Sequence, residues 1–292
     1  MPGPVARDAP VVDSHQHFLD PGRAHYPWLT EEYAAVDRSF GPADLRPALA
    51  AAGVGWTVLV QTRSSLEETG ELLDLAARTD FVAGVVSWVD LTAPGVADTL
   101  AELEAGPGGG LLVGIRHQVH DEEDPAWLLR PDVDRGLRAV GKAGLAYDLL
   151  VRARELPAAL AVVRRHGGTR FVVDHLAKPP IASRASGDFS SWAAALALLA
   201  AEPNVTCKLS GMVTEADWRS WSAADLAPYV DAVLGWFGGR RVLFGSDWPL
   251  CLVAASYETV KATLESLIRG LCDEERAAVM GGTAAEVYGL VP

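Results

Sequence analysis

The 292-residue sequence contains only three cysteines, Cys207, Cys251 and Cys272, and none belongs to a CxxC pair. That excludes a cysteine-rich zinc site and a disulfide framework, and it fits a reducing compartment. No apolar run approaches the roughly 18 residues of a transmembrane helix. Met1 to Pro10 has neither a basic stretch nor an apolar one, so no signal peptide is expected and the expected compartment is the cytoplasm. Basic residues are scarce: 25 Lys and Arg against 38 Asp and Glu give a net charge of −13. Such a chain is a poor partner for phosphate backbones and anionic membrane surfaces, which leaves small molecules. No GxGxxG follows a strand-like run; Gly106-Pro107-Gly108-Gly109-Gly110 comes before one, against a dinucleotide-binding fold. Internal repeats, low-complexity tracts and Pro/Ser linkers are also lacking. One domain over residues 1–292 is expected, with residues 1–10 as a loose N-terminus.

What the sequence does have is 49% apolar residues arranged with a period. Eight short, nearly continuous apolar runs recur: Val11–His17, Val54–Gln61, Phe81–Val89, Leu111–Arg116, Leu145–Val151, Phe171–His175, Val205–Leu209 and Arg241–Gly245. Strands buried on both faces read this way. Helical patterns lie between them. Ser65-Leu66-Glu67-Glu68 reads as a capping box opening a helix to about Arg78, and Ser222 to Asp225 repeats the logic before Leu226–Phe237. Pro42 suits the first position of a helix. Gly167-Gly168 and Gly238-Gly239 stop helices before strands. Eight β-then-α units in one chain predict an α/β fold, a (β/α)8 barrel. Connections into strands are short, and those out of strands (Phe18–Phe40, His117–Pro131, Leu176–Phe189, Gly211–Ser222) are longer, as expected when the active site lies at the strands' carboxyl ends.

Polar residues gather at those ends. His15 and His17 sit two apart after the first run, so alternation turns both to one side of the strand. An HxH pair suits a divalent metal, and equally suits packing or surface histidines. His175 ends the sixth run and Asp247 follows the eighth. Arg116 and His117 end the fourth. Lys208 lies between Cys207 and Leu209 and faces the other side from them, either as a site residue or as an edge-exposed lysine. In a closed barrel the eighth strand adjoins the first, so three imidazoles and the Asp247 carboxylate can meet above the axis. Gln61, at the end of the second run, is placed at the same mouth. Trp28, Trp88 and Trp248 can stack on the apolar face of a sugar ring or pack in loops and core. Arg116 and Lys208 can meet hydroxyls or a developing carboxylate. His25, His120 and His166 are assigned to loop or helix surfaces, the first two within reach of a ligand. Cys251 lacks a basic partner and is not expected to be a nucleophile.

His15-Gln16-His17 and Phe244-Gly245-Ser246-Asp247-Trp248-Pro249 resemble the amidohydrolase superfamily. Tyr26-Pro27-Trp28-Leu29, Gly114-Ile115-Arg116-His117, Tyr147-Asp148-Leu149-Leu150, Asp174-His175-Leu176-Ala177-Lys178-Pro179, Cys207-Lys208-Leu209-Ser210-Gly211 and Gly281 to Tyr288 resemble its sugar-lactonase branch of L-fuconolactonases, L-rhamnonolactonases and pyrone-dicarboxylate lactonases. The likeness runs from about Val11 to Leu290. It implies a hydrolase that opens a sugar-acid lactone to the aldonate. By it, Asp247 is the base that activates water. His15, His17 and His175, with Asp247, hold one divalent cation, zinc first, or the imidazoles bond the lactone carbonyl without metal. Arg116 and His117 fall to substrate binding. Tyr147-Asp148 stands where metal-rich members have a strand-5 histidine, and no strand-4 lysine is present, so a binuclear centre is not expected. Few strand-end arginines favour a neutral lactone over a dicarboxylic one, with Arg63 and Arg184 unplaced. The same constellation would also serve a metal-dependent decarboxylase of an aromatic acid, and a barrel of this kind could bind sugar without catalysis. Homo-oligomerisation stays open.

Overall fold

The computed structural model describes residues 10–183 and 186–291. The expected loose N-terminus up to residue 9, and Arg184, lie outside these described residues. Eight parallel strands form one sheet in chain order: β1 Val12–Gln16, β2 Trp56–Val60, β3 Val82–Ser87, β4 Leu112–His117, β5 Ala146–Leu149, β6 Phe171–Val173, β7 Val205–Leu209 and β8 Val242–Phe244. The chain beyond β8 returns to β1. Asp247 N donates to His15 O at 2.8 Å and His17 N donates to Trp248 O at 2.7 Å, which closes the barrel at the level of the strand-end polar residues. All eight apolar runs become strands. Most strands are shorter than their runs, because the runs continue past the ladder into buried loop residues such as Leu150 and Val151.

Helices alternate with the strands: α1 Pro42–Ala52, α2 Leu66–Ala77, α3 Val96–Ala105, α4 Pro131–Lys142, α5 Leu156–Arg165, α6 Ser186–Ala200, α7 Ala223–Phe237 and α8 Tyr257–Leu267, followed by the short α9 Asp273–Ala277 and α10 Thr283–Tyr288. Pro42 takes the first position of α1, where its missing N–H costs nothing. Ser65 caps α2 by accepting from Glu68 N at 3.3 Å. The reciprocal half of that expected capping box is not made. The Glu68 carboxylate instead accepts from Thr62 N at 3.0 Å and Arg63 N at 2.8 Å, fixing the loop above β2. No helix among the described residues is long and apolar enough to cross a membrane. The three cysteines are free, with Cys207 and Cys251 buried.

Parity sorts the strand side chains into two sets. Outward residues such as Val85, Ile115, Tyr147, Phe171, Cys207 and Phe244 meet the helices in the main core. Inward residues fill the barrel in layers. The lowest is apolar: Val12, Val58, Val60, Val86, Ala146, Val172 and Leu243, closed beneath by Val287, Tyr288 and Leu290. The layer above it is charged and carries the site.

Candidate active site

Val12 is inward, so strict alternation would turn Ser14 and Gln16 inward and His15 out. The β1–β2 register shifts between Asp13 and Gln16, and that irregularity reverses the parity. His15 therefore enters the barrel axis, with His17 one step above. Asp13, turned outward, ties the seam: its carboxylate accepts from His15 N, Ser246 N and Ser246 Oγ and from the Tyr257 hydroxyl of α8. Burial pushes the Asp13 carboxyl up to about 6 against those hydrogen bonds.

The charged layer consists of Arg116, Asp148, Asp174 and Lys208, each the inward residue at or just beyond the end of its strand. Lys208 Nζ lies 2.6 Å from Asp148 Oδ2 and 3.0 Å from Asp174 Oδ1. Arg116 donates to Asp174 Oδ2 at 2.9 Å and to Gln61 Oε1 at 2.9 Å. The Tyr288 hydroxyl reaches up from the apolar plug to Asp148 at 2.8 Å. Salt bridges and hydrogen bonds thus compensate every charge taken out of water here.

Above that layer His15, His17, His175 and Asp247 converge. Their tautomers follow from their partners. His17 Nδ1 lies 2.7 Å from Val60 O, a pure acceptor, so Nδ1 carries the proton and Nε2 a lone pair. Arg116 is a pure donor, and its Nη1 lies 3.2 Å from His15 Nε2, so that atom is an acceptor too. The His15 proton is then assigned to Nδ1, which faces Asp174 Oδ1 at 3.3 Å; Lys208 Nζ, 3.2 Å from the same atom, directs its own protons to Asp148 and Asp174. Burial pushes His15 well below its ordinary value and keeps the ring neutral. His15 Nε2 and His17 Nε2 therefore face each other at 3.2 Å with no proton between them. Asp247 Oδ1, buried and without a hydrogen bond among the described residues, lies 3.4 Å from His17 Nε2 and 3.8 Å from His15 Nε2. Three converging lone-pair atoms of this kind repel one another unless a cation joins them. Two groups here have metal-ligand proximity: His15, His17 and Asp247, and His15, Asp174 and His175. Burial alone would raise the Asp247 carboxyl; the imidazoles of His175, His17 and His15 outweigh it and hold the group well below the usual carboxylate range.

Backbone strain places two of these groups. Asp247 has φ 59°, and His175 to Lys178 form a run of four left-handed residues with φ between 49° and 59°. None is glycine, and each costs about 1–2 kcal/mol in that region. The Trp192 indole holds the turn by donating to Leu176 O at 2.7 Å. The turn brings His175 and Lys178 to the same pocket. His175 Nδ1 lies 2.8 Å from Ser210 Oγ, and burial, against the weaker pull of the Asp247 and Asp174 carboxylates, lowers the ring to about 4.

Over this floor lies a cavity of about 250 Å³ walled by Trp28, Tyr33, Gln118, His120, Arg152 and Lys178. A wider groove of about 650 Å³ adjoins it across Trp28, Thr62, Gln118 and Asp121. Of the residues expected at the mouth, Arg116 and Trp28 line the cavity, and the Trp28 indole is anchored to Thr62 O at 3.0 Å. The others lie elsewhere. Lys208 is neither edge-exposed nor in the cavity; it is fully buried beneath it. Gln61 is buried behind Arg116 and acts as its acceptor. His117 has the outward parity of Ile115; it stacks on Trp127 at 4.2 Å and accepts from the Trp88 indole at 3.0 Å. Trp88 is thereby used outside the cavity. Trp248 is buried against Phe18 and Phe40, with centroids at 6.2 and 5.3 Å. His166 is buried rather than on the surface and bonds Asp134 at 2.9 Å. His25 borders the wider groove. Burial raises the Cys251 thiol, so it offers no thiolate. Sequence reasoning missed Asp174 and Asp148, which inward parity from Val172 and Ala146 would have found. It also missed Tyr33, Arg152 and Lys178, for which no local pattern pointed inward.

A 42% identity over 287 residues, spanning 96% of both chains, relates the protein to the L-fucono-1,5-lactonase of Burkholderia multivorans. The L-fucono-1,5-lactonase of Burkholderia ambifaria is also 42% identical, over 95% of this chain and 94% of its own. A crystal structure of a Burkholderia multivorans amidohydrolase with bound zinc superposes with a TM-score of 0.91 at 42% identity, covering 97% of this chain and all of that one. The amidohydrolase family model matches residues 12–290, and the chain is a member of that family.

Proposed function

We propose that the protein hydrolyses the cyclic ester of a monosaccharide-derived sugar acid to the open aldonate. The observation that carries this reading is the meeting of His15 Nε2, His17 Nε2 and the unpartnered Asp247 Oδ1 beneath a cavity of monosaccharide size. The two lactonase relatives over nearly the full chain support the substrate class. The lone-pair arrangement fits one divalent cation, with His15, His17, Asp247 and the neighbouring His175 as its holders, and zinc as in the related crystal structure. When bound, such an ion supplies a Lewis acid for the ester carbonyl and lowers the pKa of water.

The chain's own groups do the rest. Asp247, ionised at neutral pH, accepts the proton of the attacking water. The water oxygen bonds to the carbonyl carbon, and the ring C–O bond breaks as the tetrahedral centre collapses. Asp247 then returns the proton to the ring oxygen, which leaves as the sugar hydroxyl. His175, neutral above about pH 4, faces the same point: with Nε2 unprotonated it helps to hold the cation, and only in the absence of the cation is an Nε2–H there to steady the developing oxyanion. Arg116, locked by Asp174 and Gln61, faces His15 Nε2 and keeps it in the tautomer with that nitrogen unprotonated. Trp28, fixed by its indole hydrogen bond, offers its ring to the apolar face of the sugar. Free cysteines support a cytoplasmic setting.

Proton release from L-fucono-, L-rhamnono-, D-galactono- and L-arabinonolactone, with and without a chelator, tests the reading. Turnover of at least one lactone well above its spontaneous opening is expected, with loss in chelator. Turnover that survives exhaustive, assayed metal removal transfers the carbonyl contact to His175, whose Nδ1 is at Ser210 and whose Nε2 faces the site. No turnover of any sugar lactone, or CO₂ release from a benzoate-type acid, overturns the proposal.

A further inference from the structure

Most polar side chains of the cavity already have partners. Arg116 is engaged by Asp174, Gln61 and His15. Lys178 is paired with Glu215 at 2.5 Å. Gln118 donates to Thr62 O at 3.0 Å and accepts from Ser64 Oγ at 2.9 Å. The Trp28 indole and His17 Nδ1 are bound to backbone carbonyls. His120 Nε2 lies 3.3 Å from Asp121, which makes it the donor nitrogen and leaves the buried Nδ1, without a hydrogen bond among the described residues, as an acceptor. Two donor groups stand apart. The Tyr33 hydroxyl and the Arg152 guanidinium line the cavity without a hydrogen bond or ion pair among the described residues.

We propose that Tyr33 and Arg152 form the edge of the cavity that reads the sugar's hydroxyls and so decide which stereoisomer of the lactone is opened. The inference rests on the lactonase reading and deepens it. Tyr33 is held rather than free: its ring meets Trp28 edge-on, centroids 6.1 Å apart, and packs on Trp218 at 5.3 Å. It lines the same cavity as Asp247 and Arg152. Burial, with Glu215 and Asp247, pushes it up to about 12, so it remains a donor throughout the neutral range. Arg152 follows β5 by three residues. Its backbone is pinned by N–H donation to Glu155 Oε2 at 2.8 Å, and the residue, exposed at the rim, lines the cavity together with His120 and Tyr33. A guanidinium has only donors, in a fixed fork, and spans two neighbouring oxygens. A tyrosine hydroxyl both gives and accepts. Together they match vicinal hydroxyls of a polyol ring. A site built to bond particular hydroxyls discriminates far more strongly than an apolar one, because the wrong isomer leaves donors unpaired.

The experiment compares wild type, Tyr33→Phe, Arg152→Met and Arg152→Lys on the best lactone, its epimers and its monodeoxy analogues. For wild type, removing the recognised hydroxyl is expected to lower kcat/KM about 10- to 100-fold. In Tyr33→Phe or Arg152→Met the same deletion should cost less than about threefold, with preference among epimers flattened at least about tenfold, mainly through KM. Arg152→Lys should retain an intermediate preference. Equal deoxy penalties in wild type and both deletion variants overturn the proposal. So does a preference confined to lactones bearing a carboxylate, which would make Arg152 an anion site. Wild type that opens no sugar lactone defeats the underlying reading instead, a result separable from either.

Discussion

Lys208 and Asp148 meet at 2.6 Å inside the barrel, and neither side chain is exposed to solvent. The ammonium also faces Asp174 at 3.0 Å, so one cation compensates two carboxylates under the candidate site. Removing one member of such a group leaves buried charge unopposed. Lys208→Met is expected to cost about 3–5 kcal/mol in urea unfolding. Adding Asp148→Asn should recover part of that loss. A single variant as stable as wild type would show the network to be dispensable.

Asp247→Asn should retain the fold, since the seam bonds to β1 use the backbone of residue 247 and the side chains of Asp13 and Ser246. Lactone turnover should fall about 10²- to 10⁴-fold, the usual contribution of a positioned base. Retention of more than about a tenth of wild-type kcat, a barrier change of about 1.4 kcal/mol or less, removes Asp247 from the base role.

Gly211 has φ 61°, and a Cβ there would lie 2.5 Å from His175 Nδ1. Gly211→Ala should therefore displace the His175 ring and break its contact with Ser210. We expect turnover to drop at least about tenfold and the affinity for added zinc, read by chelator competition, to weaken about 10- to 100-fold. Gly41→Ala is the control: φ is −135° and nothing lies within 4 Å of the added Cβ, so both readings should stay near wild type.

Burial, aided by Lys178, Arg152 and Arg116, pushes His120 down to about 3. An unfolded histidine titrates near about 6.5. Between those values the unfolded chain holds a proton that the folded chain refuses, so stability falls as pH drops through that window and the loss is complete below about 3. His120→Asn should flatten the slope of unfolding free energy against pH by up to about 1.4 kcal/mol per unit between pH 6 and 4. An unchanged slope would assign the acid sensitivity to other groups.

The barrel was legible because a parallel strand buried on both faces leaves a continuous apolar signature, and eight of them alternated with capped helices. The strand-end positions of His15, His17, His175 and Asp247 followed from the same pattern. Parity explains much of what was misplaced. His117 shares the outward face with Ile115, and Lys208 shares the inward face with Ser210, so a strict reading would have moved the first out of the cavity and the second beneath it. Parity fails at β1, where the irregularity between Asp13 and Gln16 turns His15 inward. The tryptophans were ambiguous because an aromatic ring packs a core as well as it stacks on a sugar. Tyr33 and Arg152 reach the cavity through loop paths that tertiary packing decides and local sequence does not.

The cavity's two halves differ in how they are built. Its floor rests on a chain of charges on strand ends, in which Arg116, Asp174, Lys208 and Asp148 each have a partner among the others. Its wall comes from separate loops: Trp28 and Tyr33 after β1, Gln118 and His120 after β4, Arg152 after β5 and Lys178 after β6. A substitution in the floor strands a neighbour's charge, so floor residues must change together or not at all. A substitution at Tyr33 or Arg152 strands nothing. Descendants of this chain can therefore shift from one sugar to another by single steps along the wall while inheriting the hydrolytic floor intact.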